Sequence, residues 1–224
     1  MSQERIIQIL LMIPVMLISL SVHEFAHARV AYARGDATAR NLGRMTVNPL
    51  KHIDPIGALC MILFHFGWAK PVPVNSRNLR NPQRDMALVS IAGPISNLLL
   101  AFLGALLYTI SFRMLIANLS FFAENEFWLN ACNMLLTFFY LFHIANITLA
   151  IFNLIPIPPL DGSRILTMFL PPRYYWKLQQ YEPYFGIILM LLILLGSFTG
   201  IISNVTSFIS NGMLNICSHI PFLS

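Results

Sequence analysis

Charge is what this chain has least of. Only 10% of its 224 residues are Asp, Glu, Lys or Arg, against 57% hydrophobic, a balance far from that of an ordinary soluble domain. Cysteine is scarce too. Cys60, Cys132 and Cys217 stand apart in apolar surroundings, which argues against a disulfide framework or a cysteine-type zinc site and suits small buried hydrophobes. The net charge of +5 comes without a basic cluster interleaved with aromatics, so no nucleic-acid partner is indicated.

Long apolar runs are what the chain has in plenty. Residues 6–33 read as a first span, with Pro14 as a kink that neighbouring helices can accommodate. Arg5, the apolar run to Val22 and Ala26-His27-Ala28 together imitate a signal peptide with a small-x-small cleavage site. Cleavage there would discard the most distinctive motif in the chain, so the segment is read as retained. Residues 86–115, 127–155 and 184–202 are each long enough to cross a bilayer, whereas the 13 residues of 56–68 are not and suit a re-entrant or shallow segment. From 34 to 84, Gly, Asn and Pro break the pattern and eight Lys or Arg are spread through it, giving loop or short-strand material. The tail, 203–224, is uncharged and its depth is left unassigned. The expected fold is an all-α polytopic membrane protein, one membrane-embedded domain over 1–224. It has about four full spans, the short apolar segment, and a small loop/β region on the cytoplasmic side.

Loop charge orients these spans, because short cytoplasmic loops carry excess Lys and Arg. If 56–68 does not cross, residues 34–84 lie inside and the Glu124 and Glu126 loop lies outside. Arg164, Arg173 and Lys177 then fall inside and the uncharged tail outside. Letting the short segment cross would place Lys70, Arg77, Arg80 and Arg84 outside and the two glutamates inside, a poorer assignment. The N-terminus is therefore expected outside.

The charged end of the first span reads His23-Glu24-Phe25-Ala26-His27. Histidines at i and i+4 share one helix face, so two imidazoles can reach one Zn²⁺ while the adjacent glutamate activates a water there. Ionisable groups inside a span are costly and usually functional. A hydrolytic zinc takes three protein ligands and keeps one open position. The charge-based topology brings the segment after Ile155 to the same cytoplasmic level, and Asp161 is the carboxylate it offers. Pro156, Pro158 and Pro159 forbid a continuous helix over 156–162, which frees backbone polar groups for a buried site. The histidine that soluble zincins place six residues after the second is replaced by Ala33. Asp36, Asp54 and Asp85 lie beside basic residues, where surface pairing is the default reading.

With these residues in view, the chain resembles the site-2 protease family of intramembrane zinc metalloproteases, in its compact form without a PDZ domain. The likeness rests on His23-Glu24-x-x-His27, on Ala92-Gly93-Pro94-Ile95-Ser96-Asn97, and on Asn153-x-x-Pro156 with Asp161-Gly162. The stretches 48–55 and 67–75 also resemble the compact subgroup. The resemblance implies one zinc ion held by His23, His27 and Asp161, Glu24 as the base, and substrate or oxyanion contacts from Asn97 and Asn153. It implies a transmembrane protein or peptide as substrate, reached from within the lipid bilayer. Asn97 has a plainer role open to it, as an interhelical hydrogen-bonding residue beside the small Gly93.

Extended substrate is often held by adding to a sheet edge, and Lys70 to Asn75 is a candidate for that edge. His143, Asn146 and Asn153 form a polar stripe on one helix; His52, His65 and His219 are given no role. Two other functions use the same residues. A metal transporter or sensor would hold a transferable ion on the same ligands without proteolysis, but one site, few spans and no inverted repeat count against it. A scaffold that binds transmembrane helices without cutting them would not need Glu24 intact.

Overall fold

The computed structural model describes residues 3–54, 57, 70–171, 180–181, 184–189, 191–192, 195–197 and 199–220. Among the described residues, the α-helices with defined bounds are, in chain order, α1 (Gln3–Ala33), α2 (Thr38–Asn41), α3 (Pro82–Ala117), α4 (Leu119–Glu124), α5 (Glu126–Leu154), α6 (Asp161–Thr167) and α7 (Thr199–Ser218). Three of them are long and apolar enough to cross a membrane: Arg5–Ala33, Pro82–Ala117 and Glu126–Leu154. Their bounds lie close to the expected 6–33, 86–115 and 127–155.

Local chemistry explains where these helices stop and start. Gly35, with φ 111°, ends α1; its N–H donates to Tyr32 O, and the Asp36 N–H reaches back to Ala31 O. This is the paired C-terminal closure that a glycine with positive φ permits. A Cβ at Gly35 would also stand 2.9 Å from Asn78 O, so the turn doubles as a docking point for the loop before α3. Pro82 opens α3 where its missing N–H costs nothing, and the Asp85 carboxylate accepts the Asn81 N–H at 2.8 Å.

The centre of the bundle is α3, which packs against α1, α5, α6 and α7. Small residues allow close approach, as membrane helices require in the absence of a hydrophobic drive between them. Ala101 and Ala105 are fully buried, and a Cβ on Gly104 would stand 3.0 Å from the His143 backbone nitrogen of α5. An apolar cluster of Val15, Phe142 and Ala145, with Met12, Met16 and Leu100 around it, fixes α1 against α3 and α5.

Three sequence expectations need adjustment. The anticipated loop/β region contains no strand among the described residues; Lys70 to Val74 has no regular secondary structure and is tied at one end by the Lys70 N–H to His52 O at 2.8 Å. The expected span 184–202 is interrupted. Residues 184–189 and 191–192 are helical, 195–197 form a turn with Gly196 at φ 69°, and the Ser197 N–H closes back onto Leu192 O at 3.1 Å. The positive φ of Gly196 breaks the helix, so 199–202 belong to the next one. The tail assigned no depth, 203–224, supplies most of α7, which packs on α3 and α5 through buried Thr206, Ser210 and Cys217. The short apolar segment 56–68, including His65 and Cys60, lies outside the described residues apart from Gly57.

Candidate metal centre

Three side chains from two distant stretches of the sequence meet in one cleft. On α1, His23 and His27 lie one turn apart, and their Nε2 atoms stand 3.0 Å from each other. Asp161 Oδ2, at the start of α6, lies 3.1 Å from His23 Nε2 and 3.2 Å from His27 Nε2. Both histidines are buried. The cleft around them, about 140 Å³, is also lined by Glu24, Val72, Ser90 and Asn153.

Each imidazole is held by its other nitrogen. His27 Nδ1 donates to Val89 O at 2.7 Å, and His23 Nδ1 donates to Asn97 Oδ1 at 2.5 Å. With the ring proton committed to Nδ1, each neutral imidazole turns its Nε2 lone pair inward. Asp161 Oδ2 is buried and makes no hydrogen bond. Three electron-pair donors facing one point repel one another unless a positive charge is shared among them. Ligand atoms about 2.0–2.1 Å from a tetrahedral zinc lie roughly 3.3 Å apart, close to the spacings found. The donor set of two nitrogens and one carboxylate oxygen therefore fits a single zinc-like ion.

Two glycines make this approach sterically possible. A Cβ on Gly93 would stand 2.5 Å from His23 Cε1 and 2.6 Å from His27 Cε1, so the backbone of α3 is the floor under both rings. A Cβ on Gly162 would stand 2.3 Å from Leu154 O and 2.5 Å from Ile155 O, so only glycine lets the first turn of α6 settle on the end of α5. That contact sets the depth of Asp161. The irregular chain from Ile155 to Leu160 that the prolines impose is the link between them.

Glu24 points into the same cleft, and its Oε2 accepts the Val72 N–H at 2.7 Å. The remaining sequence candidates separate here. Asn153 lines the cleft, its Nδ2 donating to Leu149 O at 3.0 Å. Asn97 does not line it: the side chain is fully buried, and its oxygen is engaged by His23. Its position matches the plainer interhelical role, with a metal-ligand histidine candidate as its partner. His143 is buried between Ala101 O and Ser210 Oγ, and His52 donates to Thr46 O. A larger groove of about 440 Å³ between α5 and α7, lined by residues such as Tyr140, Thr148 and Ser207, carries no histidine or acidic side chain among its described lining residues.

Sequence reading missed several participants. Asp36 is not a surface-paired carboxylate: it is fully buried and accepts from Thr38 N, Thr38 Oγ1, Asn78 Nδ2 and the Asn75 N–H. It anchors the 70–78 loop whose Val72 meets Glu24. Burial alone would raise its pKa, but the hydrogen bonds from Thr38, Asn78 and Asn75 outweigh that and hold it below the ordinary value. The Ser90 hydroxyl, on the cleft wall, is buried without a partner. Other buried hydroxyls here, such as Ser19 and Thr109, donate to the carbonyl four residues earlier, so no helix rule in the sequence would have marked Ser90 out.

Comparison with known proteins gives the family. The model of peptidase family M50 matches residues 11–196. A Bacillus subtilis protein provisionally named zinc metalloprotease YwhC is 42% identical over 185 residues, 82% of this chain and 80% of that protein. The provisionally named zinc metalloprotease Rip2 of Mycolicibacterium smegmatis is 31% identical over 182 residues, 79% of this chain and 64% of its own length. The Rip2 of Mycobacterium tuberculosis strain H37Rv is 28% identical over 194 residues, 82% of this chain and 66% of its own length. No solved structure matches. The chain belongs to peptidase family M50, the site-2 protease family, and with three helices able to cross a bilayer it is a multi-pass integral membrane protein.

Proposed function

We propose that this chain is a zinc endopeptidase that hydrolyses a peptide bond within or next to a transmembrane segment of a membrane-protein substrate. The observation that carries the reading is the meeting of His23 Nε2, His27 Nε2 and Asp161 Oδ2 within 3.2 Å of one another, with Glu24 in the same cleft. His23, His27 and Asp161 would hold one zinc ion. A zinc ion bound there would lower the pKa of water toward neutrality and polarise the scissile carbonyl.

Glu24 accepts the proton of the attacking water and passes it to the leaving amine. It cannot also be a ligand, and the Val72 N–H keeps one of its oxygens turned into the cleft. Asn153 contacts the substrate backbone or the developing oxyanion. A peptide bond inside a helix is shielded by its own turns, so the substrate is unwound or extended before attack. Basic residues in 34–84 and between α5 and α7 support an N-terminus outside and an active site near the cytoplasmic face. That level eases the entry of water.

The test is a membrane proteome comparison between cells carrying the wild-type chain and Glu24→Gln. Single-pass proteins that accumulate uncleaved only with the variant are the expected result. Identical proteomes under conditions where the wild type is expressed would contradict the reading.

A further inference from the structure

Asn146, fully buried on α5, is one residue that the site as described does not use. Its side chain continues a hydrogen-bonded chain of four polar groups, His23, Asn97, Asn146 and Ser19, across three helices. His23 Nδ1 on α1 donates to Asn97 Oδ1 on α3, and Asn97 Nδ2 donates to Asn146 Oδ1 on α5 at 2.8 Å. Asn146 Nδ2 then donates to Ser19 Oγ at 2.8 Å and to Phe142 O at 2.8 Å. Ser19 lies one turn before His23 on α1, and its hydroxyl is itself spent on Val15 O at 2.7 Å. Every donor in the chain therefore has one direction, fixed at its far end by the backbone carbonyls of Val15 and Phe142, which can only accept.

We propose that Asn146 is a positioning residue for the metal centre: it holds the Asn97 amide in the orientation that leaves His23 Nε2 free to be a ligand. The inference rests on the reading of His23 as a ligand. An amide can be flipped without changing its shape. A flipped Asn97 would present N–H to His23 Nδ1, which would have to become the acceptor, and the ring proton would move to Nε2, where a metal cannot bind. Asn146 Oδ1 forbids the flip, because a flipped Asn97 would set two oxygens against each other at 2.8 Å. The alternative partner of Asn97 Nδ2, Ser19 O, lies at 3.4 Å, at the weak limit of a hydrogen bond. The orientation is thus carried mainly by Asn146.

Zinc affinity of the detergent-solubilised full chain, measured by chelator competition, tests this together with the visible spectrum of the Co²⁺-loaded protein. Asn146→Leu keeps the branched side-chain shape but removes the acceptor, and is expected to weaken zinc binding about tenfold, as for partners that orient ligands, and to shift the Co²⁺ spectrum. Ser210→Ala serves as the structural control, since it removes a buried tie between α5 and α7, to His143 at 2.9 Å, outside the chain from His23 to Ser19; it is expected to leave zinc affinity unchanged. Where Asn146→Leu does not fold, Ser19→Ala carries the same comparison, with a smaller loss expected. Wild-type affinity in Asn146→Leu, or an equal loss in Ser210→Ala, would overturn the proposal. A wild-type chain that binds no zinc would overturn the metal-centre reading itself.

Discussion

The backbone N–H of Val72 donates to Glu24 Oε2 over 2.7 Å, and between Pro71 and Pro73 it is the one N–H the chain can offer. The alternation of proline and valine thus singles out a donor and aims it at Glu24, the residue proposed as base. Val72→Pro would remove that donor while leaving an extended chain. Losing a hydrogen bond to a charged group costs about 1.5–3 kcal/mol, so kcat is expected to fall roughly tenfold or more, with zinc content unchanged. An unaltered kcat would show that the contact does not orient Glu24.

Gly93 is the floor of the site. The 2.5–2.6 Å approach of a Cβ to both imidazoles leaves neither ring room to yield, since each is pinned through Nδ1 to Asn97 or Val89. Gly93→Ala is expected to fold, because alanine suits a helix better than glycine, and to lose at least about tenfold in zinc affinity. Normal zinc binding by this variant would mean that the rings are not held where they are described.

Much of this was legible in the sequence because its signals are local. Histidines at i and i+4 fix their own geometry, and apolar runs of 20 or more residues need only length to be read as spans. Asp161 was reachable because loop charge and span count brought it to the level of His23. Less legible were relationships that depend on packing between distant segments. Nothing near Asn97 says that its oxygen is taken by His23, and nothing near Asp36 says that four donors from Thr38, Asn75 and Asn78 will converge on it. The break at Gly196 was hidden for a different reason: a lone glycine in an apolar run is as compatible with a continuous membrane helix as with a turn.

Asp36 provides a pH signature away from the metal. Its folded pKa is depressed below the ordinary 3.8, so its contribution to stability is complete above that value and is lost as pH falls through the lower folded pKa. Hydrogen exchange at the Asn75 amide, which donates to Asp36 Oδ2 at 2.7 Å, is expected to stay protected at neutral pH and to lose that protection only under strongly acid conditions. Asp36→Asn would abolish the acid dependence and, by turning an amide donor toward Asn75 or Asn78, destabilise the loop by about 1–3 kcal/mol. An acid transition identical in the variant would assign it to another group.

Asp161 is the ligand candidate contributed by a different helix. Asp161→Ala removes the one carboxylate among the three donors and is expected to leave the purified chain with little zinc, while His23 and His27 alone bind weakly. Zinc content equal to the wild type would require another third ligand.

The most direct measurement is cleavage in reconstituted vesicles by purified wild type and Glu24→Gln, with zinc content determined on the same samples. The substrate is a single-pass protein found to accumulate with the variant. Both proteins are expected to hold equal zinc, with the variant cleaving at least about a hundredfold more slowly, the scale of general-base catalysis. Cleavage by a zinc-loaded Glu24→Gln protein at the wild-type rate would contradict the account.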